Sequence, residues 1–122
     1  MTLARAVSVA SQCHRKKVGA VLVDGEGRIV STGYNGTPAK STKQAEIDNE
    51  TQPYVIHAEI NAILFAKRDL KGCRLFVTTS PCLHCAAMIV QSGITEVFFE
   101  ELYRDSRGVD FLIEHNINCK KI

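Results

Sequence analysis

Hydrophobic and polar positions along this chain alternate between two periods. Thr2 to Cys13 brings Leu3, Ala6, Val7 and Ala10 to one face at helical spacing, which predicts an amphipathic helix capped by Thr2. Val18 to Val23 is a β-branched run. Asp24-Gly25-Glu26-Gly27 follows as a turn and Arg28 to Thr32 as the returning strand, so this stretch reads as a hairpin that Gly33 to Pro38 brings to an end. Ala39 to Pro53 is polar, carries both signs of charge and has no apolar period, which predicts a mobile loop. His57 to Lys67 returns to helical spacing through Ile60, Ile63, Leu64 and Phe65, uninterrupted by Gly or Pro. Arg74 to Thr79 is a strand with Leu75, Phe76 and Val77 burying at least one face. Cys82 to Gln91 is a helix, started by Ser80 and Pro81 and stopped by Gly93. Glu96 to Glu100 is a strand, Val109 to His115 a helix and Ile117 to Lys121 a short last strand. Strands alternating with helices after an opening hairpin predict a mixed sheet with helices on both faces. The helices starting near 57 and 82 then lie side by side with their N-termini together.

Composition narrows the class without choosing a function. The 122 residues, 45% hydrophobic and 23% charged, suit one domain spanning 1–122 with a core of its own. A net charge of +2 is too small to argue for a nucleic-acid surface. No apolar run is long enough for a membrane span, and Met1 to Val9 carries Arg5 in place of an extended apolar core, unlike a signal peptide.

Chemistry concentrates in His57-Ala58-Glu59 and Ser80-Pro81-Cys82-Leu83-His84-Cys85. One imidazole and two thiolates make three tetrahedral zinc ligands, with a fourth position left for water as a catalytic zinc requires. Such a zinc lowers the pKa of its water to about 7. Glu59 is not needed as a ligand and is placed to move protons between water and substrate. Cys82 and Cys85 are three apart on a helix, so their sulfurs face the same way. All three ligands fall at helix N-termini, where the dipole favours thiolate. Read alone, Cys82 and Cys85 also fit a redox pair, which His57 and Glu59 upstream argue against. A non-catalytic zinc module would need a fourth ligand and no such glutamate. Cys13, Cys73 and Cys119 remain as scattered packed thiols, a pattern suited to a reducing cytoplasm. His14, His84 and His115 have no ligand spacing, and Phe98 and Phe99 read as core and subunit-contact residues.

These motifs resemble the cytidine-deaminase-like superfamily of zinc deaminases, whose signature is H-x-E with P-C-x-x-C, and within it the deoxycytidylate (dCMP) deaminases. The resemblance runs roughly from Ser8 to His115. It includes Cys13-His14-Arg15 leading into Lys17-Val18-Gly19-Ala20-Val21, and the tail Tyr103-Arg104-Asp105. Several deaminase families share the zinc signature. Gly33-Tyr34-Asn35-Gly36-Thr37-Pro38 and His57-Ala58-Glu59-Ile60-Asn61-Ala62-Ile63 point to the dCMP branch.

The resemblance implies an α/β, cytidine-deaminase-like three-layer sandwich with a mixed five-stranded sheet. It implies hydrolysis of dCMP to dUMP and ammonia, supplying dUMP for thymidylate synthesis, with Glu59 as the proton carrier. By family position Asn35 reaches the deoxyribose, Ala58 and Ser80 adjoin the substrate, and Arg15, Tyr103 and Arg104 face the phosphate. Asn35 also reads as a turn residue beside Gly36, and each of the phosphate candidates as a solvated side chain. Many relatives bind a structural zinc after the proline, but Ala39-Lys40-Ser41-Thr42-Lys43 offers no Cys or His. One zinc per chain is therefore expected, and control by the effectors dCTP and dTTP is left open. A homo-oligomer, hexamer or smaller, is the implied assembly. The alternatives are a sister deaminase acting on guanine, another cytosine nucleotide, a nucleoside or tRNA adenosine.

Overall fold

The computed structural model describes residues 1–122. Along the chain lie α1 (Thr2–Ser8), β1 (Gly19–Val23), β2 (Ile29–Tyr34), a ribbon of β3 (Glu46–Ile47) and β4 (Glu50–Thr51), α2 (Ala58–Ala66) and β5 (Arg74–Thr79). Then come α3 (Leu83–Ser92), β6 (Glu96–Glu101), α4 (Arg107–Glu114) and β7 (Asn118–Lys121). Five strands form one sheet in the order β2-β1-β5-β6-β7. β1 is antiparallel to both neighbours, whereas β5, β6 and β7 run parallel. The hairpin turn is built by Asp24, whose Oδ1 accepts the amides of Glu26 and Arg28 at 2.9 Å each.

Parallel neighbours need a crossover, and α3 and α4 supply the two that β5-β6-β7 require. Alternation along β5 sends Leu75 and Val77, both 0% exposed, into the main core. There they join Ala20, Leu22, Val97 and Phe99 from the sheet, Ala58 and Ala62 of α2, Ala86 and Ile89 of α3, and Leu112 of α4. On the opposite face Val21 and Val23 pack with Ala4, Met1, Val7 and Phe76. The result is three layers: α2, α3 and α4 on one face, the sheet, and α1 alone on the other. No helix is long and apolar enough to cross a membrane.

Gly33 sets how closely α2 approaches the sheet. A Cβ there would lie 2.4 Å from both the Ala58 carbonyl oxygen and the Ala62 nitrogen. Gly33→Ala must therefore push away the helix that begins at His57. It is expected to destabilise the protein by about 3 kcal/mol, the upper range for overpacking. A lower melting midpoint together with a reduced zinc stoichiometry would be the signature.

Three expectations from the sequence need correction. α1 stops at Ser8 and does not reach Cys13, and Met1, not Thr2, is its N-cap. Ser11 and Cys13 are buried off the helix, where the Ser11 hydroxyl donates to the Asn35 carbonyl at 2.7 Å and accepts the Cys13 amide at 3.1 Å. Its inward face is Met1, Ala4 and Val7, while Leu3, Ala6 and Ala10 are exposed. The stretch 39–53 contains the β3–β4 ribbon, turned by Asp48 and Asn49 at φ 51 and 66. That ribbon is fastened at several points: Gln52 N–H donates to Ala45 O at 2.9 Å, and the Tyr54 hydroxyl to Gln44 O at 2.6 Å. Element ends elsewhere shift by one or two residues. β2 runs on to Tyr34, and His57 and Cys82 are N-caps just outside their helices.

Candidate metal centre

Two helix N-termini converge at one cavity, where His57 is exposed, Cys82 half-buried and Cys85 buried. His57 caps α2 and Cys82 caps α3, both in extended backbone, and neither side chain bonds to its own helix amides. Cys85, 1% exposed, sits in the first turn of α3. The His57 Nδ1 atom is 3.2 Å from Cys85 Sγ and 3.5 Å from Cys82 Sγ. All the ligand atoms of the three residues lie within 4.8 Å of one another. Tetrahedral zinc with ordinary bond lengths separates a nitrogen and a sulfur ligand by about 3.6 Å. The donor set and its spacing therefore fit a zinc site.

The hydrogen bond between Cys82 and Cys85 draws the Cys82 thiol down to about 3 and drives the Cys85 thiol far up. The bond to Cys82 raises the His57 imidazole, with burial opposing it. A dication among these atoms would deprotonate the remaining thiol, as coordination does to a ligand cysteine. Glu59 lies one residue inside α2, 4% exposed, and burial pushes its carboxyl up to about 7.

The cavity has a volume of about 520 Å³, and Arg15, Asn35, His57, Ala58, Glu59, Ser80, Cys82, Tyr103 and Arg104 all line it. Cys85 alone among the sequence-derived candidates is not in the wall. Ala58, Glu59 and Ser80 are its buried members, while Arg15, Tyr103 and Arg104 are exposed. Ion pairs join Arg5 to Glu100, Lys16 to Glu101, Arg28 to Glu26 and Arg107 to Asp105, leaving the Arg15 and Arg104 guanidiniums free.

Two candidates are engaged by backbone. The Asn35 amide donates to Lys16 O at 2.8 Å and accepts the Val18 amide at 2.9 Å, which fixes the chain entering β1 and leaves one N–H and one lone pair. Ser80 Oγ accepts the Tyr103 amide at 2.6 Å, and Ser80 N–H donates to Glu101 O at 2.8 Å. Ser80 thus holds the segment that carries Tyr103 and Arg104. His84 and His115 are exposed, in keeping with their lack of ligand spacing, and the latter stacks on Phe111 at 4.1 Å.

The wall also contains residues the sequence did not single out: Lys16, Thr51, Val55, Thr79, Glu101 and Leu102 among them. Adjacency to Arg15, to Ser80 and to Tyr103 could have suggested Lys16, Thr79 and Leu102. Thr51 and Val55 arrive by tertiary folding from a stretch with no local signal. The Thr79 hydroxyl oxygen is buried without a hydrogen-bond partner.

Residues 1–101 match the family model described as the cytidine and deoxycytidylate deaminase zinc-binding region. The deoxycytidylate deaminase of Homo sapiens is 42% identical over 101 residues, covering 74% of this chain and 56% of that protein. That of Enterobacteria phage T4 is 35% identical over 161 residues, covering 94% of this chain and 83% of the phage protein. This chain spans little more than half the length of the human relative. Among solved structures, the dCMP deaminase of cyanophage S-TIM5, in complex with dCMP and dUMP, superposes with a TM-score of 0.93 at 36% identity. That likeness covers 99% of this chain and 92% of the cyanophage chain.

Proposed function

The chain belongs to the cytidine and deoxycytidylate deaminase family, and we propose that residues 1–122 form one zinc-dependent dCMP deaminase domain producing dUMP and ammonia. The observation that carries the reading is one cavity whose wall brings together the His-Cys-Cys cluster, a buried glutamate and two unpaired arginines. Base chemistry suits the cluster and its glutamate, and a phosphate suits the arginines. Free guanidiniums are apt partners for a phosphate dianion, which they can grip through two parallel N–H bonds.

His57, Cys82 and Cys85 would hold one zinc per chain, and the metal supplies Lewis acidity and an activated water at neutral pH. Glu59 takes a proton from the attacking water and delivers protons to N3 of the cytosine and to the departing amine. Overall, dCMP and water become dUMP and ammonia. Ala58, with only a Cβ, leaves room for the base. The remaining N–H and lone pair of Asn35 serve the deoxyribose, and Ser80 acts by holding Tyr103 and Arg104 toward the phosphate. Self-association to a hexamer or smaller has its support in large exposed apolar side chains on the outer helix faces, Leu64 and Phe65 of α2 and Met88 of α3.

Ammonia release from the zinc-loaded protein tests the reading, with dCMP compared against deoxycytidine, dCTP and a tRNA stem-loop, each with and without dCTP or dTTP as effector. Strong preference for dCMP is the expected result. Preference for any other substrate would keep the metal chemistry and overturn the assignment of the arginines.

A further inference from the structure

The segment carrying Arg15 has no regular secondary structure, yet one side chain from the ribbon grips its backbone. Glu46 of β3 accepts the His14 amide on Oε1 and the Arg15 amide on Oε2, both at 2.9 Å. Two successive amides turned to one side make a concave donor pair for an anion, and the two oxygens of a carboxylate match it. The bond from the Arg15 amide holds the Glu46 carboxyl below its ordinary range, so it is charged at neutral pH. Glu46 is itself absent from the cavity wall, whereas Arg15 and Thr51 line it. Thr51 is the register partner of Glu46 across the β3–β4 ribbon. Beyond the ribbon, Gly36 and Ile56 exchange backbone hydrogen bonds of 3.0 and 2.8 Å, next to the lining residues Asn35, Val55 and His57.

We propose that Glu46 is a positioning residue for phosphate binding in the cavity, fixing the His14–Arg15 backbone so that the Arg15 guanidinium meets the phosphate of the substrate. The proposal rests on the dCMP reading above. It gives the ribbon a function: a strut that carries an anion to the backbone beneath Arg15. Two acceptor oxygens are what the strut needs, because a glutamine keeps one and turns an NH2 donor toward the other amide.

A double-mutant cycle on dCMP turnover tests it, using Arg15→Ala, Glu46→Ala and both together. Loss of the Arg15 contact is expected to raise KM about 10-fold or more, as for a charge-assisted hydrogen bond. Glu46→Ala is expected to raise KM about 3- to 10-fold with kcat within about 2-fold, because it loosens Arg15 without removing it. The double variant should be no worse than Arg15→Ala. Glu46→Gln, which keeps one acceptor oxygen, should fall between wild type and Glu46→Ala, and it carries the test if the alanine variant melts too low. Calorimetric affinity for dUMP should follow the same ranking. Wild-type KM in Glu46→Ala, a double variant whose effect is the product of the singles, or a fall in kcat matching the rise in KM would each overturn the proposal. A wild-type protein that turns over no dCMP would overturn the functional reading first, and the proposal with it.

Discussion

Glu59→Gln is expected to bind zinc at wild-type stoichiometry while losing activity by about 10³-fold, within the range for removal of a general acid–base group. The amide has nearly the shape of the carboxyl and keeps an acceptor, so His57 and the N-terminus of α2 should stay where they are. What disappears is a proton carrier. Stability should move the other way from activity. Burial raises the Glu59 carboxyl from 4.5 to about 7, so in the metal-free protein its ionised form is disfavoured by folding. For a group raised in the folded state, the associated stability is fully present below the unfolded value and is lost as pH rises through the folded one. The metal-free wild type should therefore lose about 3 kcal/mol between roughly pH 4.5 and pH 7, from a shift of about 2.5 units at 1.36 kcal/mol each. Glu59→Gln should not. Thermal melts of both metal-free proteins at pH 5 and pH 8 read the difference directly: similar midpoints at pH 5, and a higher one for the variant at pH 8. Zinc loss in a folded Glu59→Gln protein would instead make Glu59 a ligand, against the three-residue cluster.

That pairing of a metal-binding cluster with a buried glutamate was legible in the sequence because it is encoded locally. His57 and Glu59 are two apart and Cys82 and Cys85 three apart. Helix signals on either side then fix where the four side chains emerge. Only the meeting of the two helix ends is tertiary, and strand–helix alternation already constrains it. The strands read well for the same reason, β5 to the residue. α1 read less well, because its buried face is chosen by its partner. Gly19 on β1 brings the helix backbone so close that a Cβ there would lie 2.0 Å from the Ala4 carbonyl oxygen. Nothing in the helix's own spacing records that approach, and Leu3 and Ala6 looked as suitable as Ala4. The ribbon was hidden differently. Its strands are two residues each, too short for any period, and its Asp48-Asn49 turn sits in a run that is polar throughout. Thr51, Val55 and Glu46 were invisible with it, so the sequence displayed the metal-binding cluster more fully than the rest of the cavity and its support.

The metal cluster also joins parts of the fold that otherwise meet only through the core. His57 belongs to the start of α2 and both cysteines to the start of α3, so a bound zinc clamps two helices whose crossovers lie on opposite sides of β5. Ligation is therefore linked to folding: metal that binds the folded chain and not the unfolded one stabilises it by mass action, about 4 kcal/mol at a thousand times the dissociation constant. Cys85→Ala should remove that whole contribution, since two remaining ligands cannot hold zinc in competition with solvent and buffer. Its melting midpoint should fall by about 10–20 °C relative to the zinc-loaded wild type, by the usual conversion for a domain of this size. Chelator treatment should lower the wild type nearly to the level of Cys85→Ala and leave the variant unchanged. The residual gap measures the small void left by a sulfur that is 1% exposed, about 1 kcal/mol. Cys73→Ala provides the contrast. That thiol is equally buried but stands apart from the cluster, so its loss should lower the midpoint modestly and leave both zinc content and chelator sensitivity intact. A Cys85→Ala protein that kept a full equivalent of zinc would break the ligand assignment, and with it the reason these two helix ends meet.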